Sequence, residues 1–191
     1  WDMLRKFAET EMRPIARDAE AAGRPSDELL GKMKNLDLIS LGIPEAYGGM
    51  EIAQDATSQA LALEALAYGD LSLAMSLSLP MLTAKIITEH GSEEQKNELL
   101  KQYSDGSMFH VGLGINNSSI MGNASHSSVS VDESGEELML NGTKTGIAFA
   151  EEATSFLISA TSESGESNLY VLDKDTEGLE ITSKEFMGLK G

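Results

Sequence analysis

The chain is 191 residues long, 41% apolar and 24% charged, proportions that suit a globular protein with a sizeable core. Its net charge of −17 disfavours nucleic acid and anionic membrane surfaces as partners, because binding phosphate needs a basic footprint. The absence of cysteine excludes disulfides, thiol nucleophiles and thiolate metal sites, and it suits a reducing cytoplasm.

The first hundred residues carry helical periodicity. Leu4, Phe7, Ala8, Met12, Ile15, Ala16 and Ala19 recur at helical spacing, and Pro14 should kink or divide that helix. Arg5, Lys6, Glu9 and Glu11 interrupt any signal-peptide pattern there. Ser26 is placed to cap a second helix, with Asp27 and Glu28 in its first turn and Leu29, Leu30, Met33 and Leu36 as its apolar stripe. Leu41 to Gly49 must be a connection, since Pro44 and the Gly48-Gly49 pair are unfavourable inside a helix. A third helix follows from Asp55 to about Tyr68. Leu71 to Glu89 is apolar around most of its circumference, which predicts a buried helix bent or divided at Pro80. No apolar run approaches the roughly 18 residues of a membrane span, so no transmembrane helix is expected. Ser92 and Gln95 have the spacing of a capping box opening a further helix that carries Leu99, Leu100 and Tyr103.

After Asp105-Gly106 the periodicity changes to that of strands. Val129-Ser130-Val131 alternates. Glu137 to Leu140 runs into Asn141-Gly142, a pair that predicts a hairpin turn. Phe156 to Ala160, Leu169 to Leu172 and Glu180 to Thr182 read as further strands, with a polar turn over 161–167. Helices followed by strands indicate an α+β fold. The expected division is a helical domain over 1–105 and a mainly antiparallel β domain over 106–191, with the boundary near 104–110.

Five motifs in order carry a resemblance to the acyl-CoA dehydrogenase family. They are Ile43-Pro44-Glu45-Ala46-Tyr47-Gly48-Gly49, Glu64 to Asp70, Gly91-Ser92-Glu93-Glu94-Gln95-Lys96, Asn141-Gly142-Thr143-Lys144, and Lys184 to Gly191. The resemblance implies a helical domain, a β domain that is incomplete here, and a C-terminal four-helix domain that is absent. That last domain supplies the family's catalytic glutamate, so the resemblance implies no catalytic residue in this chain. It implies FAD as cofactor, an acyl-CoA as substrate, electron-transferring flavoprotein as electron acceptor, and a homo- or hetero-oligomer.

The flavin-contacting motifs depart from the family's pattern. Leu113 to Met121 occupies the place of a threonine-glutamate-proline segment, and none of those three side chains is present. Gly146 stands where the family has tryptophan, and Ala148 where it has threonine. A tryptophan there would bury roughly 150–250 Å². A charge-assisted hydroxyl bond would contribute about 1.5–3 kcal/mol. By position, Leu113, Gly114, Ser118, Ser119 and Ile147 are implied to face the cofactor, the first two through main-chain N–H groups. Phe149 offers a ring that could move into the tryptophan's space.

Two readings follow. One is a portion of an FAD-dependent acyl-CoA dehydrogenase, oxidising the Cα–Cβ bond of a thioester once joined to a C-terminal half. The other is a flavin-free scaffolding subunit of a heteromeric complex. His90, His110 and His126 lack metal-ligand spacing. Glu45 and Tyr47 read as turn or packing residues, Glu64 as a partnered structural acid, and Met75, Met81, Met108, Met121, Met139 and Met187 as adaptable core. The Ser118-Ser119 and Ser125 to Ser130 clusters have no acid and base partners for serine catalysis.

Overall fold

The computed structural model describes residues 2–52, 55–105, 108–115, 127–135 and 137–183. Contacts divide the chain into two compact units, one running to Met108 and the other spanning Phe109–Thr182.

The helical unit begins with α1 (Asp2–Phe7), continues through a wider π segment (Ala8–Met12) and a 3-10 turn (Arg13–Ile15), and ends in α2 (Ala16–Ala22). Pro14 lies in the 3-10 turn, where its missing N–H divides the helix as its sequence position implies. Leu4, Ala8 and Met12 form the buried face. Gly69 lets that face approach closely: a Cβ there would lie 2.7 Å from the Ala8 carbonyl oxygen. Helix α3 (Asp27–Lys34) starts at Ser26, whose hydroxyl accepts from the Leu29 N–H, and it buries Leu29 and Met33. Each such buried side chain contributes about 1.5–3 kcal/mol.

The 41–49 connection is a pair of 3-10 turns stitched by main-chain bonds, with Met50 N–H donating to Ser40 and Glu51 N–H to Ile43. Helices α4 (Ala56–Ala67) and α5 (Leu71–His90) follow, capped by Asp55 and Asp70. Pro80 does not divide α5, which runs as one element through it. The proline removes a single ladder bond while buried Leu77, Thr83 and Ala84 hold both flanks, and the Thr83 hydroxyl donates to the Pro80 carbonyl at 3.0 Å. The helix is also less enclosed than expected, because Leu71, Met75 and Leu82 are exposed on its outer face. By length and composition α5 could cross a membrane, but 44% of its most apolar window is buried inside the protein. Ser92 and Gln95 form the expected reciprocal capping box at α6 (Glu93–Gln95), which passes through a π segment (Lys96–Leu100) into α7 (Gln102–Asp105).

The β unit is a five-stranded mixed sheet: β1 (Val111–Gly114), β2 (Val129–Asp132), β3 (Met139–Gly142), β4 (Ser155–Ser162) and β5 (Ser167–Asp173). The apolar run Phe156-Leu157-Ile158 makes β4 the central strand. Antiparallel β5 covers one edge of β4 from Ser155 to Thr161. The other edge is shared: β1 pairs in parallel with Ser155–Ile158, and β2 pairs in parallel with Thr161 and Ser162. Val129, Val131, Phe156, Ile158 and Ala160 build the core on one face, with Ile147, Ala150 and Leu172 packed against them.

Two expected β features differ. Asn141-Gly142 is not a hairpin turn: both residues lie in β3, opposite Ser130 and Val129, and the chain reverses before Met139. Glycine is required at 142 because its φ is +147° and a Cβ would lie 2.3 Å from the Ser128 carbonyl oxygen. Glu180 to Thr182 forms no strand, since these residues are exposed and find no pairing partner among the described strands.

Candidate functional site

Strand β1 ends at Gly114, beside the segment that follows Lys144. Its two glycines face inward on the core side of the sheet. A Cβ at Gly112 would lie 2.6 Å from the Phe156 ring and 3.1 Å from Ile147 Cγ2. One at Gly114 would lie 2.5 Å from Ile158 Cδ1, 3.0 Å from Ile147 Cδ1 and 3.4 Å from Lys144 Cγ. The glycines therefore let Ile147 and the Lys144 stem pack directly on the strand. Gly114 and Ile147 are in contact, and half-buried Leu113 lies between the two glycines in the chain. Ser118 and Ser119 lie outside the described residues.

Where β4 passes from β1 to β2, side chains replace the missing ladder. The Ser127 hydroxyl donates to the Ser159 carbonyl at 2.5 Å, and the Ser127 N–H donates to Thr161 Oγ1 at 3.1 Å. Lys144 Nζ donates to Ser127 Oγ at 2.7 Å and to Ser159 Oγ at 2.8 Å. Ser159 Oγ in turn donates to the Ile115 carbonyl at 3.4 Å. Burial pushes the Lys144 ammonium below the usual lysine range. This cluster was not foreseen from the sequence. Its one signal was Lys144 in the Asn141 to Lys144 motif, while Ser127 and Ser159 looked like ordinary polar residues.

The loop after Lys144 shows what the altered motif does. Gly146 has φ +71°, and nothing lies within 4 Å of where its Cβ would be. Phe149, at φ +55°, stacks on Phe109 with ring centroids 3.9 Å apart and planes 14° apart. Its ring is thus committed to Phe109.

The remaining candidates take structural places. His110 is buried at the start of β1, where its carbonyl accepts from the Thr154 and Ser155 N–H groups. His90 is exposed beside Glu89, and His126 lies outside the described residues. The Tyr47 hydroxyl donates to Glu93 Oε2 at 2.7 Å, tying the 41–49 connection to α6. Glu64 differs from expectation: it is exposed, and no ion pair holds it among the described residues. Of the named methionines, Met108 is core, Met75 and Met139 are exposed, and Met121 and Met187 lie outside the described residues. Among the described residues, the fully buried methionines are Met12 and Met33. The helical unit has a small cavity of about 80 Å³ among Glu20, Arg24, Asp70 and Ser76, enough for water rather than a cofactor.

A flavin tests this arrangement in two ways. The outer edge of β1 pairs with no other described strand, so the outward N–H groups of Leu113 and Ile115 can serve a ligand while that of Gly114 points to β4, and the space at Gly146 is open. The Cα face of Gly114 cannot serve, because Ile147, Ile158 and Lys144 close it. A flavin is therefore compatible with the strand edge and the open loop, but not with the glycine face.

The family model for the acyl-CoA dehydrogenase N-terminal domain matches residues 1–107. The chain is 28% identical over 198 aligned residues to a probable acyl-CoA dehydrogenase, YngJ, of Bacillus subtilis, covering all of this chain and 51% of that protein. Among solved structures it resembles the electron transferring flavoprotein structure of Acidaminococcus fermentans, at 26% identity and a TM-score of 0.76, covering 97% of this chain and 49% of the other. The Mycobacterium smegmatis glutaryl-CoA dehydrogenase in complex with FADH2 matches the fold, with a TM-score of 0.82 at 23% identity over 98% of this chain and 48% of that one. The chain spans about half the length of the relatives it matches.

Proposed function

Because this chain belongs to the acyl-CoA dehydrogenase family, we propose that it forms the helical and β portion of an FAD-dependent enzyme that oxidises the Cα–Cβ bond of an acyl-CoA thioester. The observation that carries this reading is the unpaired outer edge of β1 at Leu113–Ile115, beside the open loop at Gly146. Bound flavin would supply the hydride acceptor. The residues of this chain would hold and orient it. Main-chain N–H groups of Leu113 and Ile115 would bond its polar rim, Ile147 would back the strand, and the Gly146 loop would leave room for a ring system. Ser118 and Ser119 remain the candidates for its phosphates. The reaction also needs a base to remove the α-proton, and we assign that role to no residue here. The substrate is proposed to be an acyl-CoA, the electron acceptor an electron-transferring flavoprotein, and the working form an oligomer.

A second reading is a flavin-free subunit that scaffolds an active paralogue. It is favoured by the absence of an aromatic side chain at Gly146 and by the pairing of Phe149 with Phe109, which leaves the loop without a ring to stack on a flavin. The visible spectrum of the purified protein, repeated after adding FAD and desalting, decides between them. Flavin bands that survive desalting support the enzyme. A protein that stays colourless while co-purifying with a full-length homologue supports the scaffold.

A further inference from the structure

We propose that Lys144 is a positioning residue: through Ser159 and Ser127 its side chain sets the main chain at the end of β1, the edge that would hold flavin. The proposal rests on the flavin reading for its functional consequence, and on the sheet alone for its geometry.

The reason lies in how β4 is shared. Strand β1 leaves its edge after Ile158 and β2 joins at Thr161, so Ser159 and Ala160 face neither strand. Ser127 fills part of that gap by donating its single hydroxyl hydrogen to the Ser159 carbonyl. Its oxygen then accepts from the Val129 N–H at 3.1 Å and from Lys144. Ser159 spends its own hydrogen on the Ile115 carbonyl, and its oxygen also accepts from Lys144. With both hydroxyl hydrogens committed to carbonyls, joining the two oxygens takes a group that donates at least twice, which an ammonium does and a hydroxyl cannot.

The consequence is a link across the sequence. Ile115 and Ser127 are held by one ammonium, Ser127 directly and Ile115 through Ser159. The stem of the same lysine runs over Gly114, close enough that its Cγ would touch a Cβ there. A lysine from the loop after β3 therefore fixes where β1 ends and where β2 begins. The side chain is half-buried, and that partial burial lowers the ammonium below the usual lysine range.

The natural chain contains no cysteine, so Lys144→Cys introduces a sole thiol that can be modified selectively. Alkylation with 2-bromoethylamine rebuilds a lysine-like ammonium, whereas propyl methanethiosulfonate gives an apolar side chain of similar length. Two quantities are read: flavin absorbance retained after FAD loading and desalting, and amide hydrogen exchange over Leu113–Ile115 and Ser127–Val129. The propyl form should retain FAD at least about tenfold less well than the natural protein and exchange faster in both segments. The aminoethyl form should restore both, with exchange in the helical unit unchanged throughout. Ser159→Ala should accelerate exchange at Leu113–Ile115 while sparing Val129. Equal exchange in the propyl and aminoethyl forms would overturn the proposal, as would a silent Ser159→Ala. If the natural protein retains no FAD, the flavin reading fails on its own and the exchange contrast still decides the role of Lys144.

Discussion

The helical unit and the β unit are held in register by different means. In the helical unit most of the information is local. Ser26, Asp55, Asp70 and Ser92 each cap the helix that begins at the next residue, and each accepts from an N–H three residues on. In the β unit two of the four pairings, those of β1 and β2 with β4, join distant segments, and three pairings converge on β4. There a half-buried cation and two hydroxyls do what the strand ladder does elsewhere. The contrast teaches that a helical scaffold can be read residue by residue, while a site built at a shared strand edge depends on contacts no local pattern announces.

The largest effects should come from glycines that let backbone meet backbone, one in each unit. At Gly49 a Cβ would lie 2.0 Å from the Ile43 carbonyl oxygen, and at Gly142 it would lie 2.3 Å from that of Ser128. We expect Gly49→Ala and Gly142→Ala each to destabilise its own unit by about 3 kcal/mol or more, since backbone cannot rotate away as a side chain can. Hydrogen exchange at rising urea concentration reads the two units separately. Loss of protection confined to the substituted unit would sharpen the distinction, and loss in both would break it.

The next effect concerns the candidate site. Nothing lies within 4 Å of where a Cβ at Gly146 would be, so Gly146→Trp combined with Ala148→Thr is the substitution pair that restores the family's side chains. The positive φ at 146 should cost about 1–2 kcal/mol of stability. The restored ring and hydroxyl should nevertheless raise FAD retention at least about tenfold. Equilibrium dialysis against FAD measures it. An unchanged affinity would mean that the β1 edge, rather than this loop, limits flavin binding.

These two tests also mark what the sequence made legible. Caps, the division at Pro14 and the central apolar strand all followed from local chemistry. Three other features misled in instructive ways. Asn141-Gly142 has turn composition, yet the glycine is there for a close approach to Ser128 within a strand pair. Pro80 was expected to bend or divide α5, and burial on both sides of it keeps α5 one element despite one lost ladder bond. Glu64 looked like a partnered acid because its neighbours are apolar, and it faces solvent. At the candidate site, Gly114 and Ile147 were placed together by the family resemblance. The resemblance could not say that Ile147 would close the glycine's open face, because that contact depends on how the chain returns after β3. The Lys144 cluster was illegible for the same reason: its partners come from three separate segments.

A smaller effect is expected at a helix start. The Asp70 carboxylate accepts from the Leu73 N–H at 2.9 Å and opens the 20-residue helix α5. Asp70→Ala should destabilise the helical unit by about 1 kcal/mol, with Asp70→Asn retaining most of the stability. Urea midpoints for that unit check it. An effect of equal size in the β unit would undermine the claim that local signals act locally.

The smallest effect is a dependence on pH within the helical unit, where a single hydrogen bond joins two distant segments. The Tyr47 hydroxyl, and then the Lys96 ammonium, hold the Glu93 carboxyl below the ordinary glutamate value of 4.5. Because the folded value lies below the unfolded one, its contribution is complete above about pH 4.5 and is lost as pH falls through the lowered value. Tyr47 titrates in the opposite sense. The Glu93 carboxylate that accepts its proton raises it above 10.0, so that contribution is complete below pH 10 and is lost as pH rises through the raised value. The natural protein should therefore show a stability plateau between these limits with a slope at each end, and Tyr47→Phe should flatten both slopes by removing the shared proton. Urea midpoints of the two proteins from pH 3 to pH 11 test this, with the β unit as internal reference. Parallel curves would show that the connection at 41–49 is held by its main-chain bonds alone, making it even more local than the rest of its unit.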